Sequence, residues 1–348
     1  MGPYLLVILL SSLGLGTTLT FASSHWLLAW MGLEINTLAI IPLMAQQHHP
    51  RAVEATTKYF LTQATAAAII LFAAAMNAWM MGEWSICYMY HPMPMSLLFM
   101  GLAMKIGLAP MHFWMPEVLQ GLNYMTGLIL TTWQKLAPFA LIIQVAPMVN
   151  PYILFSMGLL STLIGGWGGL NQTQLRKVLA YSSIAHMGWM MIILQFAPQL
   201  TMLALGTYII MTATAFLSFK TSLATKINTL SLAWAKTPTL VATTALALLS
   251  LGGLPPLTGF IPKWLILQEL TKQGLPLTAT IMALSALLSL YFYLRLCYAI
   301  ALTVPPVTIT FLMPWRSSTT QLTLILALST IFTLCLLPIT PTILALFS

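Results

Sequence analysis

The chain has 348 residues, 59% of them hydrophobic and only 5% charged, with a mean hydropathy of +0.92. These values exclude a water-soluble globular domain of this size and predict an all-α polytopic membrane protein with short polar connections. The formal charge of +8 comes from basic residues scattered singly, which excludes the clustered patch a nucleic-acid partner requires and turns attention to membrane topology.

Apolar runs predict eleven spans, over about 3 to 21, 24 to 45, 55 to 80, 94 to 120, 124 to 146, 151 to 171, 174 to 196, 200 to 224, 237 to 273, 276 to 303 and 320 to 346. The first lacks a basic leader and is expected to remain as a helix rather than act as a cleaved signal. The ninth would reach roughly 55 Å as one helix, against about 30 Å of hydrocarbon. Its centre reads LSLGGLPPLTGFIPKW, from Leu249 to Trp264. Gly252, Gly253, Pro255, Pro256, Gly259 and Pro262 remove donors and permit non-helical dihedrals, so two half-helices joined by an unwound segment are expected. A matching frame starts at Gly107 in the fourth span: GLAPMHFWMPE aligns with GLPPLTGFIPK, which pairs Gly107 with Gly253 and Pro110 with Pro256.

Paired Gly/Pro-interrupted segments in two halves predict an internally repeated transporter whose broken helices lie near the transport site. Repeat one covers about 1–148 and repeat two about 149–304, each with its broken helix fourth of five. An odd number of spans inverts the second copy relative to the first. A further C-terminal helix, about 318–348, completes one membrane domain over 1–348.

With eleven spans, loops on the N-terminal side hold Arg51, Lys58, Arg176, Lys177, Lys226, Lys236 and Arg316, and the opposite loops hold only Lys272. The positive-inside rule then places the N-terminus toward cytoplasm or matrix and the C-terminus on the other side. Trp26, Trp79, Trp84, Trp234 and Trp315, near span ends, are expected as interfacial anchors.

Aspartate is absent and five glutamates occur, so ionisable residues inside spans stand out. Glu34 lies at the midpoint of span two, Lys105 deep in span four, Lys135 at the centre of span five, and Lys263 just past the second break. Burying one such charge costs on the order of 2.5 to 3.5 kcal/mol. Desolvation disfavours the charged form and an opposite charge restores it, so a Glu and a Lys able to approach and separate form a protonation switch along a line Glu34, Lys105, Lys135, Lys263. The competing reading is a set of buried ion pairs that fixes helix register. Three lysines cannot be neutralised by one carboxylate, which favours proton handling. His112, inside the first break, and His186, in span seven, are read equally as relays and as satisfied core groups. Arg295 is expected to snorkel toward the basic side. The run Gly165-Gly-Trp-Gly-Gly169 lacks the Lys-Ser/Thr of a phosphate loop and is expected to serve close helix packing. Cys87, Cys297 and Cys335 form no CxxC pair, so neither a disulfide framework nor a metal site is indicated.

The runs MGLEIN, MKIGLAP-HFW-PEV, TTWQKLAP, RKVLAYSSIAH and LGGLPP-TGF-PKW resemble the mitochondrial chain 2 family of NADH-ubiquinone oxidoreductase, an antiporter-like membrane subunit of respiratory complex I, across essentially the whole chain. The resemblance implies that Glu34, Lys105, Lys135 and Lys263 correspond to the family's pairing glutamate, its partner lysine, its central lysine and its terminal channel lysine. It implies proton translocation driven by electron transfer from NADH to ubiquinone elsewhere in the complex. Flavin, iron–sulfur clusters and quinone are then expected in other subunits and no cofactor on this chain. The implied partners are neighbouring antiporter-like and small membrane subunits, with membrane lipid. Bacterial relatives carry three more N-terminal helices; the absence of these here implies the mitochondrial inner membrane, with the N-terminus in the matrix. Rival expectations are a free-standing cation/proton antiporter, a passive scaffold and a quinone-binding redox enzyme.

Overall fold

The computed structural model describes residues 2–46, 49–89, 91–235, 237–303 and 323–347. Lys236, Trp315 and Arg316 of the expected topology lie outside them. Proline opens many of the helices: α1 (Pro3–Ala22), α3 (Pro50–Met81), α4 (Pro92–Ile106), α8 (Pro151–Gly169), α10 (Pro198–Thr221), α12 (Pro238–Gly252) and α14 (Pro276–Leu302). Its fixed φ suits a first helical turn, and its missing N–H would have found no partner there. The remaining helices are α2 (Trp26–Met44), α5 (Trp114–Gly121), α6 (Tyr124–Thr131), α7 (Trp133–Val145), α9 (Leu175–Ile193), α11 (Ile227–Leu232), α13 (Phe260–Lys272), α15 (Thr323–Cys335) and α16 (Thr340–Phe347). Among the described residues only isolated bridges, His25 with Ser85 and Gln174 with Lys226, depart from helix and loop. Seven helical segments there are long and apolar enough to cross a membrane, or eight with the bent α15–α16 pair. The protein is an all-helical, multi-pass membrane protein.

The chain divides into two compact units, Met1–Ser161 and Thr162–Ser348. In the first, α1 packs on α2 where a Cβ added to Gly32 would stand 2.8 Å from the Gly16 carbonyl oxygen, the close backbone approach that small residues give membrane helices. The opposite side of α1 leaves Tyr4, Val7 and Ile8 exposed, as lipid contact requires. The indole N–H of Trp30 donates to the Ala67 carbonyl at 3.1 Å, fixing α2 against α3, while α3 packs on α4 and α5, and α4 on α7.

The fifth expected span is one apolar segment, Tyr124–Met148, whose helix is interrupted at Thr132, between α6 and α7. The Thr131 and Thr132 hydroxyls both donate back to the Leu128 carbonyl, and Pro138 supplies no N–H to the first turns of α7. Back-bonding hydroxyls and an internal proline both bend helices.

In the second unit α9 is buried along nearly its whole length. A Cβ on Gly165 of α8 would lie 2.7 Å from the Ala185 backbone nitrogen of α9. The glycine run therefore packs helices, as its composition suggested. Gly165→Ala forces two backbones apart and is expected to destabilise by about 1–3 kcal/mol, the usual cost of overpacking, read as a lower thermal midpoint of the detergent-solubilised protein.

Three further expectations are corrected. The C-terminal helix is two helices bent by 68° between α15 and α16, because Pro338 and Pro341 interrupt its hydrogen-bond ladder. A short helix, α11, occupies the connection before the second broken span. Trp26 is buried, at 1% exposure, rather than anchored at an interface: its backbone N–H donates to the Trp84 carbonyl at 3.0 Å, which draws the loop over it. Trp79 is 90% exposed.

Candidate functional site

Both broken helices stop in the same way. Gly107 after α4 and Gly253 after α12 adopt left-handed backbone, with φ of 85° and 81°, a conformation that glycine enters without a Cβ penalty. Ala109–Pro110 and Pro255–Pro256 are cis peptide bonds at matching places in the two breaks. In the first break the indole N–H of Trp114 donates to the Met104 carbonyl at 3.1 Å, satisfying one of the orphaned acceptors of the α4 end. In the second, Lys263 folds back so that Nζ donates to the Gly252 carbonyl at 2.8 Å.

The helix dipole explains the lysine placements. The C-terminal end of a helix carries partial negative charge and favours a cation. Lys105 sits in the last turn of α4. Lys263 belongs to α13, yet its ammonium lies at the last carbonyl of α12. The second break thus puts an ammonium at the negative end of its first half-helix, whereas in the first break the lysine belongs to the last turn itself. At the repeat position of Lys263, Glu117 occupies the first turn of α5, where a carboxylate is favoured. Glu117 also accepts from Lys58 Nζ at 2.7 Å, and Lys58 bonds Glu54 at 2.6 Å. The Glu54–Lys58 spacing of four residues signalled half of this triad, whereas the link to Glu117 required the fold.

Lys105 and Lys135 line one cavity in the first unit, together with Asn36, Thr37, Tyr59, Gln63, Trp114 and Gln134. Lys105 is 6% exposed and Lys135 2%, so bulk water does not hydrate either ammonium. Lys105 Nζ has no hydrogen-bond partner among the described residues. Glu34 does not line the cavity. Its carboxylate accepts from the Thr37 hydroxyl at 2.9 Å, and Thr37 does line it. Glu34 and Lys105 are thus not hydrogen-bonded. Gln134 donates to the Asn36 backbone carbonyl at 3.1 Å, which fixes α7 against α2 beside the cavity.

Lys263, in the second unit, lines two cavities, and His186 lines both with it. Ser182, Ser289 and Tyr293 complete the first, Thr207 and Met211 border the second, and the His186 ring lies 5.6 Å from that of Tyr208. His112 is placed differently: it is 3% exposed, its Nδ1 lies 3.2 Å from the Pro110 carbonyl, and it stacks obliquely on Phe113 without lining the lysine cavity. Thr258 hydrogen-bonds the Thr333 carbonyl of α15 at 2.7 Å. Arg295 donates to the Leu170 carbonyl at 2.6 Å, just past the end of α8. The participation of Asn36, Tyr59 and Gln63 was missed from sequence; the available signal was their polarity within apolar spans.

The family described as NADH:quinone oxidoreductase/Mrp antiporter, TM matches residues 23–289, and that described as NADH dehydrogenase subunit 2 C-terminus matches 290–344. The chain is 76% identical over 347 residues to the NADH-ubiquinone oxidoreductase chain 2 of Formosania lacustris, covering 100% of both chains. It is 73% identical to that of Carassius auratus, covering 99% of both. Among solved structures it is similar to a chain of respiratory complex I from Thermus thermophilus with bound aureothin, at TM-score 0.86 and 29% identity, over 99% of this chain and 80% of that one. A chain of the Mrp complex from Dietzia sp. shares the fold at TM-score 0.79 and 18% identity, over 86% of this chain and 61% of that one.

Proposed function

The chain belongs to the NADH-ubiquinone oxidoreductase chain 2 family, and from that premise we propose that it carries protons from matrix to intermembrane space across the mitochondrial inner membrane, through Glu34, Lys105, Lys135 and Lys263. As a subunit of the NADH:ubiquinone reductase it acts without redox chemistry of its own. Flavin, iron–sulfur clusters and ubiquinone belong to other subunits, and its neighbours are antiporter-like and small membrane subunits. The proposed architecture is eleven spans in two inverted five-helix repeats, with the N-terminus in the matrix. The shared geometry of the Gly107 and Gly253 breaks supports it.

The observation that carries the reading is the single cavity lined by both Lys105 and Lys135. A carboxylate nearby holds Lys105 protonated. When changes passed along the membrane arm draw Glu34 away, the desolvated ammonium gives up its proton, and Lys135 accepts it through water. Transfer then continues to Lys263, with release on the intermembrane side. Moving one charge against 100 mV takes about 2.3 kcal/mol, and a tenfold change in a protonation equilibrium supplies about 1.4 kcal/mol, so modest displacements of Glu34 suffice. An opposite charge alters such an equilibrium by about tenfold to a thousandfold. Glu34→Gln keeps the Thr37 hydrogen bond and removes the charge. The complex carrying it is expected to assemble and to lose pumping at least about tenfold in rate, measured as protons moved per second in reconstituted vesicles. An unaltered rate refutes the switch.

A further inference from the structure

Several buried polar atoms at the Lys105 cavity lack partners. Asn36 Nδ2 and Oδ1, Gln63 Nε2 and Lys105 Nζ are all buried without a hydrogen bond among the described residues. Asn36 is 2% and Gln63 4% exposed. All three residues line the same cavity, which offers about 10 Å³ to the centre of a water molecule. That is about the space one ordered water needs, provided it finds two to four polar partners. Asn36 stands on α2, Gln63 on α3 and Lys105 on α4, so the three groups converge from separate helices.

We infer that Asn36 and Gln63 are positioning residues that hold a relay water between Lys105 and Lys135. The inference rests on the proton-transfer reading above and deepens it. A water has two lone pairs and two protons. The Gln63 amide and the Lys105 ammonium supply donors for the lone pairs, and Asn36 Oδ1 accepts one water proton. The second water proton stays uncommitted and is available to a neutral Lys135 on the same cavity wall. When Lys105 gives up a proton to this water, the water passes one of its own to Lys135. Charge moves one step, and the water is regenerated with no net bond made or lost. The amides keep their protonation throughout, since neither titrates; their part is to fix the water's orientation.

The test uses the whole complex. Gln63→Leu fills similar space without a donor, and Gln63→Asn keeps an amide donor at that position. The leucine variant is expected to lower protons moved per NADH oxidised at least several-fold in vesicles, and the asparagine variant to recover at least half of the loss. A purely structural role for Gln63 predicts instead that both variants follow assembly yield and leave the ratio untouched, which overturns the inference. A water-resolving electron cryomicroscopy map of the wild-type complex decides independently of any variant's assembly. Density bonded to the Asn36 and Gln63 amides is the expected result; amides bonded to each other, or no density between them, overturns it. Loss of pumping in Lys135→Met with normal pumping in Gln63→Leu rejects the water placement alone. Normal pumping in both rejects the lysine path as well.

Discussion

Lys135→Met yields an assembled complex that pumps poorly. The lysine is 2% exposed, in the first turn of α7, immediately after the irregular turn at Thr132. Its charged form carries a desolvation cost that methionine, an apolar side chain of similar length and bulk, lacks. Loss of the residue should therefore spare folding and assembly, which native gels check. Proton movement loses its acceptor on the cavity shared with Lys105. A barrier raised by about 1.4 kcal/mol already slows a step tenfold, and a proton without a carrier in an apolar gap meets more than that. Coupled NADH oxidation in vesicles is expected to fall about tenfold or more, with a lowered ratio of protons to electrons. Normal stoichiometry in this variant would reduce the lysines to register-fixing charges.

How much of this could be read in advance depended on whether the signal was local. Breaks at Gly107 and Gly253 and the tight packing of Gly165 depend on one residue's backbone freedom or size, which sequence states directly. A lysine in an apolar run is equally conspicuous because its burial is costly, so Lys105 and Lys135 were visible before any fold. The amides of Asn36 and Gln63 were not singled out, because an uncharged amide in a span is far less expensive and gains meaning only when α2, α3, α4 and α7 bring it to a lysine. Trp26 misled for a related reason: an aromatic at a span end reads the same facing lipid or lying under a loop, and the pairing with Trp84 that decides between them crosses 58 residues of chain. The separation of His186, beside Lys263, from His112, against Pro110, had no counterpart in sequence, where both were lone histidines near broken or central spans.

Gly253→Val should disable the second break while leaving the first intact. Gly253 sits at φ 81°, where a β-branched residue is a rare outlier and an L side chain costs about 1–2 kcal/mol. Space is also lacking: a Cβ there would lie 2.9 Å from Lys263 Cδ and 3.0 Å from its Nζ. Because those atoms end a flexible side chain, the lysine yields before the backbone does, and its 2.8 Å bond to the Gly252 carbonyl breaks. The ammonium then loses the negative end of α12, and the carbonyl loses its partner. Backbone strain and overpacking together are expected to cost a few kcal/mol, seen as a lowered thermal midpoint. Pumping per NADH oxidised should fall further than stability alone accounts for, because the displaced group is the terminal lysine of the proposed path. Gly253→Asn supplies the control, since asparagine tolerates left-handed backbone yet still meets Lys263. If the asparagine variant regains stability but pumps as poorly as the valine variant, the position of the lysine governs transfer; if it regains both, backbone strain was the whole defect and the contact between Lys263 and the α12 end is incidental.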